Sequence, residues 1–114
     1  MKFGDLKGKT FKSVIQEGSA IFFTDIEGKT YKQYHAQDCC ETVYIESITG
    51  DLEDLVGSPI LVAEESLKKS ERGKDPSQTW TFYKLATVKG WVDIRWFGES
   101  NGYYSESATL KEIK

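Results

Sequence analysis

Two runs decide the fold class: Thr79-Trp80-Thr81-Phe82-Tyr83-Lys84-Leu85-Ala86-Thr87 (79–87) and Trp91-Val92-Asp93-Ile94-Arg95-Trp96-Phe97 (91–97). Both alternate with period two, the spacing at which successive strand side chains point to opposite faces. Val92, Ile94 and Trp96 fall on one face, against Trp91, Asp93, Arg95 and Phe97 on the other. Trp80, Phe82, Lys84 and Ala86 likewise oppose Thr79, Thr81, Tyr83, Leu85 and Thr87. Lys89-Gly90 supplies a turn between the runs, so the pair predicts an antiparallel hairpin. Asn101-Gly102 is a second hairpin signal, and Tyr103 to Leu110 reads as a last strand completing a meander.

Upstream, Phe11 to Glu17, Ala20 to Asp25 and Lys29 to His35 read as three strands. Gly18-Ser19 and Glu27-Gly28 are the turns between them. Thr42 to Ile48, β-branched and aromatic, reads as a fourth strand that Gly50 ends. Asp51 can cap one or two helical turns near 51–56, which Gly57 stops before Pro59. Ile60 to Glu64 reads as a short strand, and the polar stretch Ser66 to Gln78 as a surface loop. The expectation is an α+β chain, mainly antiparallel β, with six to eight strands in a curled sheet or small sandwich and one short helix.

A chain of 114 residues fits a single domain spanning 1–114. An apolar fraction of 39% and an aromatic fraction of 13% are too high for a disordered chain. No apolar run is long enough to span a membrane, and Met1-Lys2-Phe3-Gly4-Asp5 lacks a signal-peptide core. These features predict a cytoplasmic protein without a membrane partner. Cys39 and Cys40 are adjacent, and neighbours along a chain rarely bridge, so free thiols are expected.

The net charge is -3, but its distribution is more informative. Between Lys32 and Lys68 there is no Lys or Arg, while Asp38, Glu41, Glu46, Asp51, Glu53, Asp54, Glu64 and Glu65 all fall there. A middle third of one sign disfavours direct nucleic-acid binding through that surface and suits a basic partner or a cation. The alternative is ordinary solvated acids spread over several faces.

Tyr34-His35-Ala36-Gln37-Asp38-Cys39-Cys40-Glu41 concentrates the only histidine, both cysteines and two carboxylates. His35, Asp38 and Cys39 have ligand chemistry for zinc, but a second ligand pair is missing. A cysteine nucleophile is another reading, with His35 as base, although Asp38 and Glu41 oppose a thiolate. The third reading is a tight strand connection with Asp38 as a turn cap. Arg95 either pairs with Asp93, Glu106 or a cluster acid, or acts as a fork donor to a phosphate or carboxylate. No phosphate-binding loop, dinucleotide fingerprint, zinc-hydrolase histidine pair or serine elbow is present, so no cofactor is expected.

Four strings, HAQDCCETVYIE, TGDLEDLVGSPILVAEES, TWTFYKLATVKGWVDIRW and GESNGYYSES, resemble in their order an uncharacterised family of small domains encoded by bacteriophages and prophages. The resemblance runs from about Lys9 to Ser107, with Ser66 to Gln78 unmatched. It implies a phage-associated accessory protein without assigned chemistry. It points to His35, Asp38, Cys39, Cys40, Glu41, Asn101, Gly102, Tyr103 and Tyr104.

The leading functional expectation is a non-enzymatic protein that binds and blocks a host protein with a basic surface, such as a defence nuclease. Asp38, Glu41, Glu46, Asp51, Glu53, Asp54, Asn101, Tyr103 and Tyr104 would make the contacts through an acidic and aromatic surface. One alternative is a sponge for a small signalling nucleotide, held by Arg95, Tyr103, Tyr104 and His35. The other is a metal- or thiol-dependent enzyme at His35, Asp38, Cys39 and Cys40.

Overall fold

The computed structural model describes residues 1–70, 77–102 and 104–113. Eight strands form two antiparallel four-stranded sheets. The first contains β1 (Phe11–Gln16), β2 (Ile21–Asp25), β3 (Thr30–Tyr34) and β8 (Thr109–Ile113), in the order β1-β2-β3-β8. The second contains β4 (Thr42–Thr49), β5 (Val62–Lys69), β6 (Ser77–Thr87) and β7 (Gly90–Ser100), in the order β4-β7-β6-β5. Among the described residues the helical elements are single 3-10 turns at Phe3–Leu6 and Leu52–Leu55.

The alternation read from 91–97 becomes the inner and outer faces of β7. Val92, Ile94 and Trp96 are buried, whereas Trp91, Asp93 and Arg95 are exposed. The inner faces of both sheets share one core, to which the first contributes Phe11, Phe23 and Tyr31 and the second Leu85, Ile94 and Trp96. Trp96 is the largest of the fully buried side chains among the described residues. A polar group so buried requires a partner. The Trp96 indole Nε1–H donates to Gln33 Oε1 at 3.0 Å and joins the two sheets. Truncating a buried tryptophan to alanine costs about 3–5 kcal/mol, so the Trp96 side chain as a whole contributes strongly to the core. Isolated bridges from Thr10 to Pro59 and from Phe11 to Val56 tie the rim of the first sheet to the segment after the second 3-10 turn.

Local chemistry explains the turns. Asp25 ends β2, and its Oδ1 accepts the backbone N–H groups of Glu27 and Lys29, both at 2.9 Å. Burial alone would raise the Asp25 carboxyl. These N–H donors and the Tyr31 hydroxyl prevail and hold it below the ordinary value. Asp51 caps the second 3-10 turn, its side chain accepting Glu53 N–H at 3.0 Å.

Four sequence expectations change. The element near 51–56 is one 3-10 turn, because four residues give no room for an α-helix. The strand expected at Ile60 to Glu64 runs from Val62 to Lys69, since Ser66, Leu67, Lys68 and Lys69 pair with β6. The loop expected at Ser66 to Gln78 is thereby shortened from both sides, and 71–76 lie outside the described residues. Finally, β7 and β8 do not form the last hairpin of a meander. Both edges of β7 are taken, by β6 and β4, so the chain crosses to the other sheet and pairs with β3. β8 therefore begins at Thr109 rather than near Tyr103.

Candidate functional site

The segment joining β3 to β4, residues 35–41, closes on itself through one carboxylate. Glu41 precedes β4, and its side chain folds back under the turn. Oε2 accepts the Asp38 N–H at 2.8 Å, and Oε1 accepts the Cys39 N–H at 2.9 Å. His35 Nε2 lies 2.7 Å from Glu41 Oε2, and His35 Nδ1 lies 2.8 Å from the Ser107 carbonyl oxygen. The ring thus bridges the Glu41 carboxylate and the Ser107 carbonyl. Gln37 completes the turn, its Nε2 donating to the Glu41 carbonyl at 2.7 Å and to the Cys39 carbonyl at 3.2 Å.

This pair is well shielded, with the His35 side chain 5% and the Glu41 side chain 0% exposed. Burial alone would raise the Glu41 carboxyl. The N–H groups of Asp38 and Cys39, the His35 imidazole and its own backbone N–H outweigh burial and hold it down at about 2. The carboxylate expected on a partner-binding surface is thus internal. A turn with two inward N–H groups recaptures the acid that follows it.

The second wall comes from the segment after β7. Glu106 accepts the Thr79 hydroxyl at 2.8 Å and also the Ser100 hydroxyl. Ser100 Oγ in turn accepts the Gly102 N–H at 3.0 Å. Thr42 pairs with Glu99, so the start of β4 lies beside the end of β7. The 35–41 turn and the 99–107 segment therefore form one end of the molecule, bridged by His35 and Ser107 across 72 residues of sequence. Ala36, Gln37, Asp38, Cys39 and Cys40 are exposed there, as are Asn101, Gly102, Ser105 and Ser107.

Cys39 and Cys40 are joined by a disulfide, where free thiols are expected from the sequence. That expectation rested on the rarity of a bridge between chain neighbours, and here the chain bends at both residues. The sulfurs are bonded to each other and both imidazole nitrogens are engaged, so His35, Asp38 and Cys39 do not assemble as a ligand set. Among the described residues, no group of three or more His, Cys, Asp or Glu side chains is placed to hold a metal ion.

Residues 4–110 match the family described as Domain of unknown function (DUF7448). The chain belongs to this family. No curated protein and no solved structure matches it. Among the described residues no helix is long and apolar enough to cross a membrane.

The other candidate residues are dispersed. Arg95 Nε pairs with Glu46 Oε1 at 2.8 Å on the outer face of β7, rather than with Asp93, Glu106 or the 35–41 turn. Its neighbour Trp96 points into the core, so Arg95 faces away from Gln33 and the first sheet. Arg95 and His35 thus do not share a site. Tyr104 is half-buried in the 99–107 segment, and Tyr103 lies outside the described residues. Asp51, Glu53 and Asp54 gather at the second 3-10 turn, beyond the far end of β4. Glu46 and Glu64 lie on the outer sheet face, and Asp38 on the exposed turn. The acid-rich window is continuous in sequence and divided in space.

Sequence reading identified His35, Asp38, Glu41 and Asn101-Gly102 but missed Gln37, Ser100 and Ser107. Ser107 meets His35 through its carbonyl, which any residue carries, so its side-chain chemistry held no signal for that contact.

Proposed function

We propose that this chain is a non-enzymatic binding protein that engages a protein partner through the braced end formed by the 35–41 turn and the 99–107 segment. One observation carries the reading. The groups that would perform chemistry there, His35 and Glu41, are turned inward and bonded to each other, while Asp38, Cys39, Cys40, Asn101 and Gly102 face outward. Loops held rigidly on a β scaffold are a common means of recognition. Asp38 and the nearby Glu99 favour a basic partner surface. The resemblance to phage- and prophage-encoded domains favours a host protein, such as a defence nuclease, as that partner.

The test compares tagged wild-type protein with Asp38→Lys in capture from bacterial lysate. Asp38 contributes only its backbone N–H to the turn, so its side chain can change without loss of the brace. The wild type is expected to retain a defined protein, with recovery at least ~10-fold lower for Asp38→Lys and lower in high salt. Equal recovery by both proteins, or no protein partner, overturns the reading.

A further inference from the structure

The outer face of the β4-β7-β6-β5 sheet points to a second surface with a different occupant. Cross-strand partners share a face, so the registers place its side chains in rows. Tyr44, Phe97, Trp80 and Lys68 form one row across all four strands. Its rings are in contact, with centroids 5.6 Å apart for Tyr44–Phe97 and 5.4 Å for Trp80–Phe97. The next rows place Arg95 beside Phe82, then Asp93 beside Lys84 and Glu64, then Trp91 beside Ala86. Trp91 is 56% exposed, Tyr44 40% and Phe82 38%. Large aromatics left this open across a sheet mark an interaction surface.

The charges identify the occupant. Across the rows from Trp91 to Phe97, Glu46, Glu64 and Asp93 are matched by Lys68, Lys84 and Arg95, with Glu99 one row beyond toward the loop end, so this part of the face is balanced and favours neither a basic nor an acidic partner. It is complementary to itself. A two-fold axis running along the strands, between β6 and β7, lays β7 of one copy over β6 of the other while keeping each row at its own height. Asp93 then meets Lys84, Arg95 meets the Phe82 ring, and Phe97 meets Trp80. At the flanks, Tyr44 meets Lys68. Nearest the axis, an opposite-charge pair, a cation–aromatic pair and an aromatic pair thus face each other in successive rows.

We infer that this face joins two copies of the chain in an isologous dimer. Four strands about 4.8 Å apart, with side-chain rows about 7 Å apart, give roughly 600 Å² per protomer, at the small end of specific interfaces. The dimer is therefore concentration-dependent. It leaves the braced loop end free and stands independently of the role proposed for that end.

Sedimentation velocity over a micromolar to millimolar concentration series tests it, using the full chain. Wild-type protein is expected to shift from the mass of one chain to twice that mass. Asp93→Lys sets lysine against Lys84 of the other copy and should raise the dissociation constant at least ~10-fold. Lys84→Asp should do the same, and the double exchange should restore it to within ~3-fold of wild type. Phe82→Lys, which faces Arg95 of the other copy, should also abolish the dimer. A wild-type chain that stays monomeric throughout overturns the inference. So do folded single variants, judged by circular dichroism, that dimerise as wild type does, and a double exchange that fails to restore association.

Discussion

Glu41 is the residue on which the loop end depends. It accepts two backbone N–H groups and the imidazole of His35, while its own carbonyl receives Gln37. Its carboxyl is held at about 2 in the folded chain against an ordinary value of 4.5. The folded chain therefore takes up this proton less readily than the unfolded chain. The stability it adds is complete above about pH 4.5 and is lost as pH falls toward about 2. Glu41→Gln cannot accept from all three donors and should show a lower urea midpoint at neutral pH. The difference from wild type should narrow as pH falls from about 4.5 to about 2. A difference that is absent at neutral pH, or that widens on acidification, would contradict the brace. The sequence pointed to this cluster because its reactive side chains are crowded together. It did not reveal that Glu41 turns inward, since a count of charges along a window carries no information about which acid meets N–H donors. Nor could it disclose the His35–Ser107 contact, which spans 72 positions and ends on a carbonyl.

At the scale of elements, the crossing from β7 to β8 shapes the site. The chain leaves β7 after Ser100 and passes back over Gly98 so closely that a Cβ there would lie 2.1 Å from the Glu106 carbonyl oxygen. Gly98→Ala should therefore destabilise the fold by about 1–3 kcal/mol, because backbone must move to admit it. Gly4→Ala serves as the control, since a Cβ there meets only Ala63 O at 3.8 Å. Denaturant midpoints measure both, and equal midpoints for Gly98→Ala and wild type would contradict the close crossing. The hairpins β2–β3 and β6–β7 were legible, because strand-forming runs flank a short glycine-containing turn in each. The β7–β8 crossing was not. Asn101-Gly102 has the composition of a hairpin turn, and local composition cannot report that both edges of β7 are already occupied. The extension of β5 was hidden for a related reason. Lys68 and Lys69 look like loop residues, yet lysines suit an edge strand that must not pair further.

For the whole molecule, period-two alternation and turn spacing carried the fold class to the correct outcome, an antiparallel β protein of eight strands. The sequence left a curled sheet and a small sandwich both open, and the strand order of two separate four-stranded sheets decides between them. The surface was less legible, because neighbours in sequence alternate between faces and ends. The acids from Asp38 to Glu65 accordingly divide among the exposed loop end, a buried brace, the far 3-10 turn and opposite faces of β5 and its sheet. Two sequence strings distant along the chain, one holding His35 to Glu41 and the other Glu99 to Ser107, instead meet at one end, and the proposed function rests there. The most direct measurement is amide chemical-shift mapping of the labelled full chain on addition of the captured partner. Shifts are expected to concentrate in residues 36–40 and 101–107 and to be strongly reduced in Asp38→Lys. Shifts confined to the far turn around Asp51–Asp54, or to the outer sheet face alone, would contradict recognition by the braced loop end.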